Sequence, residues 1–281
     1  MSIIEKALTF QRCHRRGQPL IVPNPWDAGS AKVLAALGFE ALATTSAGLA
    51  FSLGKRDAEG ALSRDEVLEN ARRIVEATSL PVTADLENGF GDSPEEVAYT
   101  IHAAAKVGLV GGSIEDATGN LKHRIYDFNH AVERVAAGVE AARSLPFPFV
   151  FVARAENFIC GRPDLDDTLR RLIAFQEAGA DVLFAPGLPD LETIRLVCAA
   201  LEKPVNVLMS LGGSALTVDE LAQAGVQRIS LGSSLARAAM GAFIRAAEEV
   251  KNSGTFSFSG SATSFADANR FMTSTGDESV V

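Results

Sequence analysis

Cysteine is scarce in this 281-residue chain: Cys13, Cys160 and Cys198 are odd in number, far apart and never in CxxC spacing. That excludes a disulfide framework and a zinc ribbon, and all three read as reduced thiols. The four histidines form no cluster that would suggest zinc. Long apolar runs are missing as well. Nowhere do 18 consecutive apolar residues occur, and Met1 to Arg16 lacks the apolar stretch of a signal peptide. No membrane partner is expected, and the cytoplasm is the predicted address. Runs of Lys and Arg are absent from a chain of net charge -9, which excludes a phosphate-binding surface for nucleic acid. There is no GxGxxG turn after the first apolar run; Pro23-Asn24-Pro25-Trp26-Asp27 stands there instead, so no dinucleotide is indicated.

What is present is a regular alternation. Hydrophobic residues make up 47% and charged residues 22%, the balance of a globular protein with a large core. After an opening amphipathic segment, Ile3 to Arg15, eight short apolar runs alternate with stretches of helical period. The runs are Leu20 to Pro23, Ala41 to Thr45, Val82 to Asp85, Gly111 to Glu115, Phe149 to Arg154, Val182 to Ala185, Val205 to Met209 and Arg228 to Gly232. Helix starts are signalled by Ser63 with Glu66, by Ser93 with Pro94 and by Thr217 with Glu220. Helix ends are signalled by Gly38, Gly108, Gly179 and Gly225. Eight strands buried on both faces predict a (β/α)8 TIM barrel as one domain over residues 1–252. Residues 253–281 form a tail with one helical candidate, Phe265 to Met272; its composition suits a mobile linker or an arm packing on a partner subunit.

Barrel enzymes carry their chemistry at the carboxyl ends of the strands, and acidic residues gather there. Asp85 and Glu87 follow the third run, Glu115 and Asp116 end the fourth, and Asp57 lies after the second. Carboxylates crowded on one rim call for a positive charge between them, and hard oxygen ligands suit Mg2+, with Mn2+ as the alternative. Taken singly, these motifs also read as a plain turn and a helix cap. Arg154 ends the fifth run, where it either clamps a substrate carboxylate or pairs with Glu156 and the acidic cluster. Asn206 interrupts an apolar run and either contacts substrate or satisfies a core neighbour. Thr44-Thr45-Ser46-Ala47-Gly48 is a turn fit for anion capture, or simply a loop. Glycine turns at Leu211 to Ser214 and Leu231 to Ser234 are placed where barrels often seat phosphate. A Schiff-base aldolase is disfavoured because Phe184-Ala185-Pro186-Gly187 holds no lysine.

The order TTSAG (44–48), LGKRD (53–57), ADLENGFG (84–91), SIED (113–116), VARAEN (152–157) and PVNV (204–207) resembles the isocitrate lyase and phosphoenolpyruvate mutase superfamily, from about Asn24 to Arg237. The resemblance implies a Mg2+-dependent barrel enzyme that breaks a C–C or P–C bond in a small 2-oxo acid, or a 2-hydroxy dicarboxylic acid, through a metal-stabilised enolate. It implies Asp85 as the primary metal ligand, with Asp57, Glu87 and Glu115 acting mostly through water. Thr45, Ser46 and Ala47 would hold the substrate carboxylate with Arg154 beside them. It also implies a homotetramer or homodimer. Two departures stand out. Glu87 replaces the second Asp of the metal motif, and Ala117 to Arg124 replaces the lyase branch's Lys-Lys-Cys-Gly-His loop. Lys122, His123 or Tyr126 would supply a proton if this loop closes over the site, His123 first because its unperturbed titration lies near neutrality; the other reading is a loop that faces solvent. The competing readings are a phosphonomutase or phosphonopyruvate hydrolase-like enzyme on a phosphorylated substrate, and a catalytically silent barrel that binds a 2-oxo acid.

Overall fold

The eight apolar runs become eight parallel strands. The computed structural model describes residues 1–14, 18–57, 60–120, 122–209 and 216–273. The strands are β1 (Leu20–Val22), β2 (Leu42–Ala43), β3 (Val82–Asp85), β4 (Gly111–Glu115), β5 (Val150–Arg154), β6 (Val182–Phe184), β7 (Val205–Leu208) and β8 (Arg228–Ser230). They pair in the order β1-β8-β7-β6-β5-β4-β3-β2. A hydrogen bond from Ala43 N to Pro23 O, 3.0 Å, links the last edge to the first and closes the barrel. Beta2 is shorter than its apolar run because Thr45 turns out of the strand to cap the next helix, accepting from Gly48 N.

Around the barrel lie α2 (Ala28–Ala36), α3 (Ser46–Ser52), α4 (Arg64–Ala77), α5 (Pro94–Lys106), α6 (Phe128–Arg143), α7 (Leu165–Glu177), α8 (Leu191–Ala200), α9 (Val218–Gln223) and α10 (Ser234–Ser253); α1 (Ile3–Cys13) precedes them and α11 (Phe265–Met272) follows. The local signals act as expected. Ser63 and Thr217 close capping boxes with Glu66 and Glu220, and Ser93 caps α5 ahead of Pro94. Gly38, Gly108, Gly179 and Gly225 take φ of 88°, 92°, 102° and 94°, a left-handed conformation that costs glycine little.

Alternate strand residues face two different cores. Val82, Ala84, Ile114, Phe151 and Leu183 pack outward under the helices. Val22, Ala43, Val150, Val152, Val182 and Phe184 point into the barrel, where Ala7, Phe10 and Cys13 of α1 join them. Helix α1 thereby covers the amino ends of the strands. Gly111 leaves room for it: a Cβ there would stand 3.1 Å from Phe10 Cε1 and 2.8 Å from Val150 O. No helix among the described residues is long and apolar enough to cross a membrane.

Beyond the barrel the polar segment is structured, not a loose linker. The Glu249 carboxylate accepts from Thr255 Oγ1 and from Ser257 and Phe258 N, which winds a 3-10 turn over Ser257–Ser261. Helix α11 returns to α2, and Lys32 Nζ donates to Met272 O at 2.7 Å. Residues 274–281 lie outside the described residues.

Close packing of α6 on the barrel passes through Gly138, where a Cβ would collide with the buried Phe151 ring and stand 3.0 Å from Val97 Cγ1. Gly138→Ala should lower stability by about 1–3 kcal/mol despite the better helix propensity of alanine. Urea denaturation checks this: the midpoint should fall with the slope unchanged.

Candidate active site

At the carboxyl ends of the strands lies a cavity of about 540 Å³. Asp57, Asp85, Glu87, Glu115, Glu156 and Arg154 are on its wall, together with Thr45, Ser46, Ala47 and Asn206. The parallel register explains the gathering. Glu115 and Arg154 are direct partners across β4 and β5, and Asp85 pairs with Ser113 one strand further on.

Arg154 is the hub. Its Nη1 donates to Asp85 Oδ1 at 3.1 Å and its Nε to Glu156 Oε1 at 2.8 Å, while its Nη2 pairs with Glu115 Oε2 at 3.2 Å. Of the two roles open to it, the structure shows the pairing with Glu156 and the acidic cluster. Burial works against its charge, but Glu156, Glu115 and Asp85 outweigh burial and hold it well above the ordinary arginine range. One guanidinium does not balance this rim. Burial, then repulsion from Asp85 and Asp57, pushes Glu87 up to about 7. Burial is also the main cause that holds Glu115 well above the carboxylate range, with Glu156, Asp85 and Glu87 adding to it against Arg154.

Asp85 is fixed on all sides. Its Oδ2 accepts from Ser46 Oγ at 2.9 Å, its Oδ1 also accepts from Glu87 N at 3.2 Å, and its own N–H donates to Thr44 Oγ1. Among the described residues no three His, Cys, Asp or Glu side chains converge closely enough to chelate a metal directly. The donor set that remains, one well-placed carboxylate with three others around the cavity, fits an ion that takes one or two protein oxygens and keeps its water.

The turn after β3 is strained: Glu87 and Phe90 take φ of 48° and 61°. A second arginine, Arg134 of α6, holds it. Buried and stacked 4.3 Å from the Tyr126 ring centroid, its guanidinium donates to the carbonyls of Asn88, Gly91 and Asp92. Tyr126 Oη adds bonds to Asp92 Oδ1 and Asn88 Nδ2, so its hydroxyl supports this turn.

Of the two readings open to the loop after β4, the structure has the one in which His123 faces solvent. Thr118, Gly119, Asn120 and Arg124 line the cavity, but His123 is exposed and not on its wall. Its N–H donates to Asn120 O and its carbonyl accepts from Thr118 Oγ1. Sequence reasoning missed Arg134 and Cys160. Cys160 lines the cavity from the segment after β5, and burial pushes its thiol up to about 11. Nothing local in the sequence marks either one. Arg228 was missed as well, although an arginine opening an apolar run was a signal. The Leu211 to Ser214 turn lies outside the described residues.

An eight-stranded parallel barrel with an acid-rich cavity at the carboxyl ends of its strands defines a TIM-barrel enzyme. Its family is known from comparison. The phosphoenolpyruvate phosphomutase family model matches residues 10–251, and the chain belongs to that family. It is 32% identical to the 2-methylisocitrate lyase of Escherichia coli (strain K12) over 261 residues, 90% of this chain and 85% of that protein. Among solved structures it is similar to a Burkholderia cenocepacia J2315 protein provisionally described as a lyase/mutase, with 53% identity, a TM-score of 0.94 and 97% of each chain covered. A 2,3-dimethylmalate lyase of the PEP mutase/isocitrate lyase superfamily follows at 27% identity and a TM-score of 0.85, with 95% of each chain covered. The relatives are lyases and mutases of small acids, and this chain is an enzyme of the same superfamily.

Two outcomes follow from the charges. Arg134→Met should strip four carbonyls, of Asn88, Gly91, Asp92 and Ser93, of this donor and cost about 3 kcal/mol, with hydrogen exchange across the turn after β3 speeding up first. The second concerns Glu87, whose folded pKa lies above its unfolded one. Its effect on stability is nil below about pH 4.5, and the loss grows as pH rises to about 7 and is constant above, at about 3 kcal/mol. Glu87→Gln without divalent cations should therefore match the parent near pH 4 and exceed it at pH 8 in denaturant unfolding.

Proposed function

We propose that the protein is a Mg2+-dependent lyase that breaks a C–C, or P–C, bond in a small 2-oxo acid or 2-hydroxy dicarboxylic acid, leaving the electron pair on an enolate fragment. The observation that carries this reading is the excess of carboxylate over guanidinium on one rim, where Glu87 is pushed up to about 7 by burial and by its acidic neighbours. Asp85 is the direct ligand in this reading, and Asp57, Glu87 and Glu115 act through water; Mn2+ suits the same oxygens. The bound ion supplies positive charge where the breaking bond leaves negative charge on oxygen.

The protein's part is placement. Thr45, Ser46 and Ala47, at the first turn of α3, hold the substrate carboxylate through hydroxyl and backbone N–H groups. Arg154, with its nitrogens engaged, orients Asp85 and Glu115 and compensates charge beside the reacting group. His123 reaches the cavity only if its loop moves, and it is given no step. The exposed Phe243 of α10 and Phe265 of α11, at 72% and 88%, support a homotetramer or homodimer.

The phosphate reading finds less support at the turn after β8. The N–H groups of Leu231 and Gly232 already donate to Asn24 Oδ1, at 2.8 and 2.9 Å, and are not free for a phosphate. Turnover of a panel of 2-oxo and 2-hydroxy dicarboxylic acids, followed by mass spectrometry with Mg2+ and with chelator, tests the proposal. Asp85→Ala should lower turnover about a thousandfold or more while the variant stays folded. Metal-independent turnover, or saturable binding with no turnover across the panel, would overturn it.

A further inference from the structure

A cation without a carboxylate stands deeper in the same cavity. Arg228 opens β8 and lines the cavity. It is 4% exposed, yet its Nε and Nη1 have no hydrogen-bond partner. The guanidinium lies 5.7 Å from the Phe10 ring centroid, and among the described residues it makes no ion pair. Burial lowers it to about 10, so it stays charged at neutral pH. The contrast with Arg154 is sharp, since that guanidinium meets three carboxylates.

A buried guanidinium is costly to leave unpaired, and proteins that keep one normally meet it with an anion. The neighbours of Arg228 are polar and incompletely bonded. Asn206, its register partner on β7, has Oδ1 unsatisfied while Nδ2 donates to Ser230 Oγ. Turning the amide over would let Ser230 donate to Oδ1 and would present Nδ2 to the cavity. His14, held down to about 4 by burial and then by Arg228, is neutral and offers no counter-charge.

Register sets the spacing. Glu115, Arg154, Phe184, Asn206 and Arg228 are successive partners across β4 to β8. One row therefore runs from the acidic pole, past an aromatic ring, to an uncompensated cation. Such a row complements a molecule with an anionic group at each end and an apolar middle. We infer that Arg228, aided by Asn206, is an anion seat on the cavity floor that takes the second carboxylate of the substrate and selects dianionic acids over monoanionic ones. This rests on the proposal that the acidic rim holds the other end through a divalent ion.

Titration calorimetry on the full chain, with and without Mg2+, compares L-lactate with L-malate and 2-hydroxyglutarate, which share the 2-hydroxy acid end. Wild type should bind at least one dianion about tenfold or more tighter than lactate. Arg228→Gln should reduce that preference below about threefold with lactate affinity little changed. Asn206→Asp, which gives Arg228 an internal partner, should do the same and serves if Arg228→Gln does not fold. A dianion preference absent from wild type, or intact in either folded variant, overturns the seat. Lactate binding that ignores both Mg2+ and Asp85→Ala, with the dianion preference still lost in Arg228→Gln, would sink the rim proposal and leave the seat standing.

Discussion

Three carboxylates share one guanidinium at the mouth of this barrel, and the rest of the site is arranged around that imbalance. Arg154 ties the ends of β3, β4 and β5 together through Asp85, Glu115 and its near neighbour Glu156. Removing Arg154 would leave three carboxylates without their shared cation, which costs far more than the intact pairs contribute. A further layer supports the hub: Asp116 accepts from Glu156 N and from Arg171 Nη1, joining the strand ends to α7. The rim is thus rigid and still too negative, which is the condition that favours a cation.

Rigidity also comes from a turn held out of its relaxed shape. Two non-glycine residues in the left-handed region would relax in an isolated peptide. Here the Arg134 guanidinium takes up the carbonyls that the turn exposes, and Thr100 Oγ1 and Arg64 Nη2 hold Gly89 O. Among the described residues, the non-glycine positions of positive φ lie only in the segment that follows Asp85.

Much of this architecture was legible in the sequence because its determinants are local. A serine three residues before a glutamate, or a glycine closing a helix, acts within one turn of chain, and the strand ends fell within two residues of their apolar runs. Beta2 lost most because Thr45 had a second use as a cap. The acidic rim was legible for a related reason: in a parallel barrel, the residues that end successive strands meet. Contacts made across distant elements were not. Arg134 reaches carbonyls more than forty positions away, and Cys160 enters the cavity through a loop of no regular period. Whether His123 reaches the site was left open in the sequence, because the chemistry of a free side chain does not say which way its loop turns. The polar tail read as a linker because composition does not register that Glu249 gathers the backbone of the next segment.

The packing of α1 against the amino ends of the strands has a kinetic meaning. With Phe10 filling the base, the barrel is a vessel with its working mouth on the opposite side. Molecules that enter and molecules that leave therefore meet the same acidic threshold.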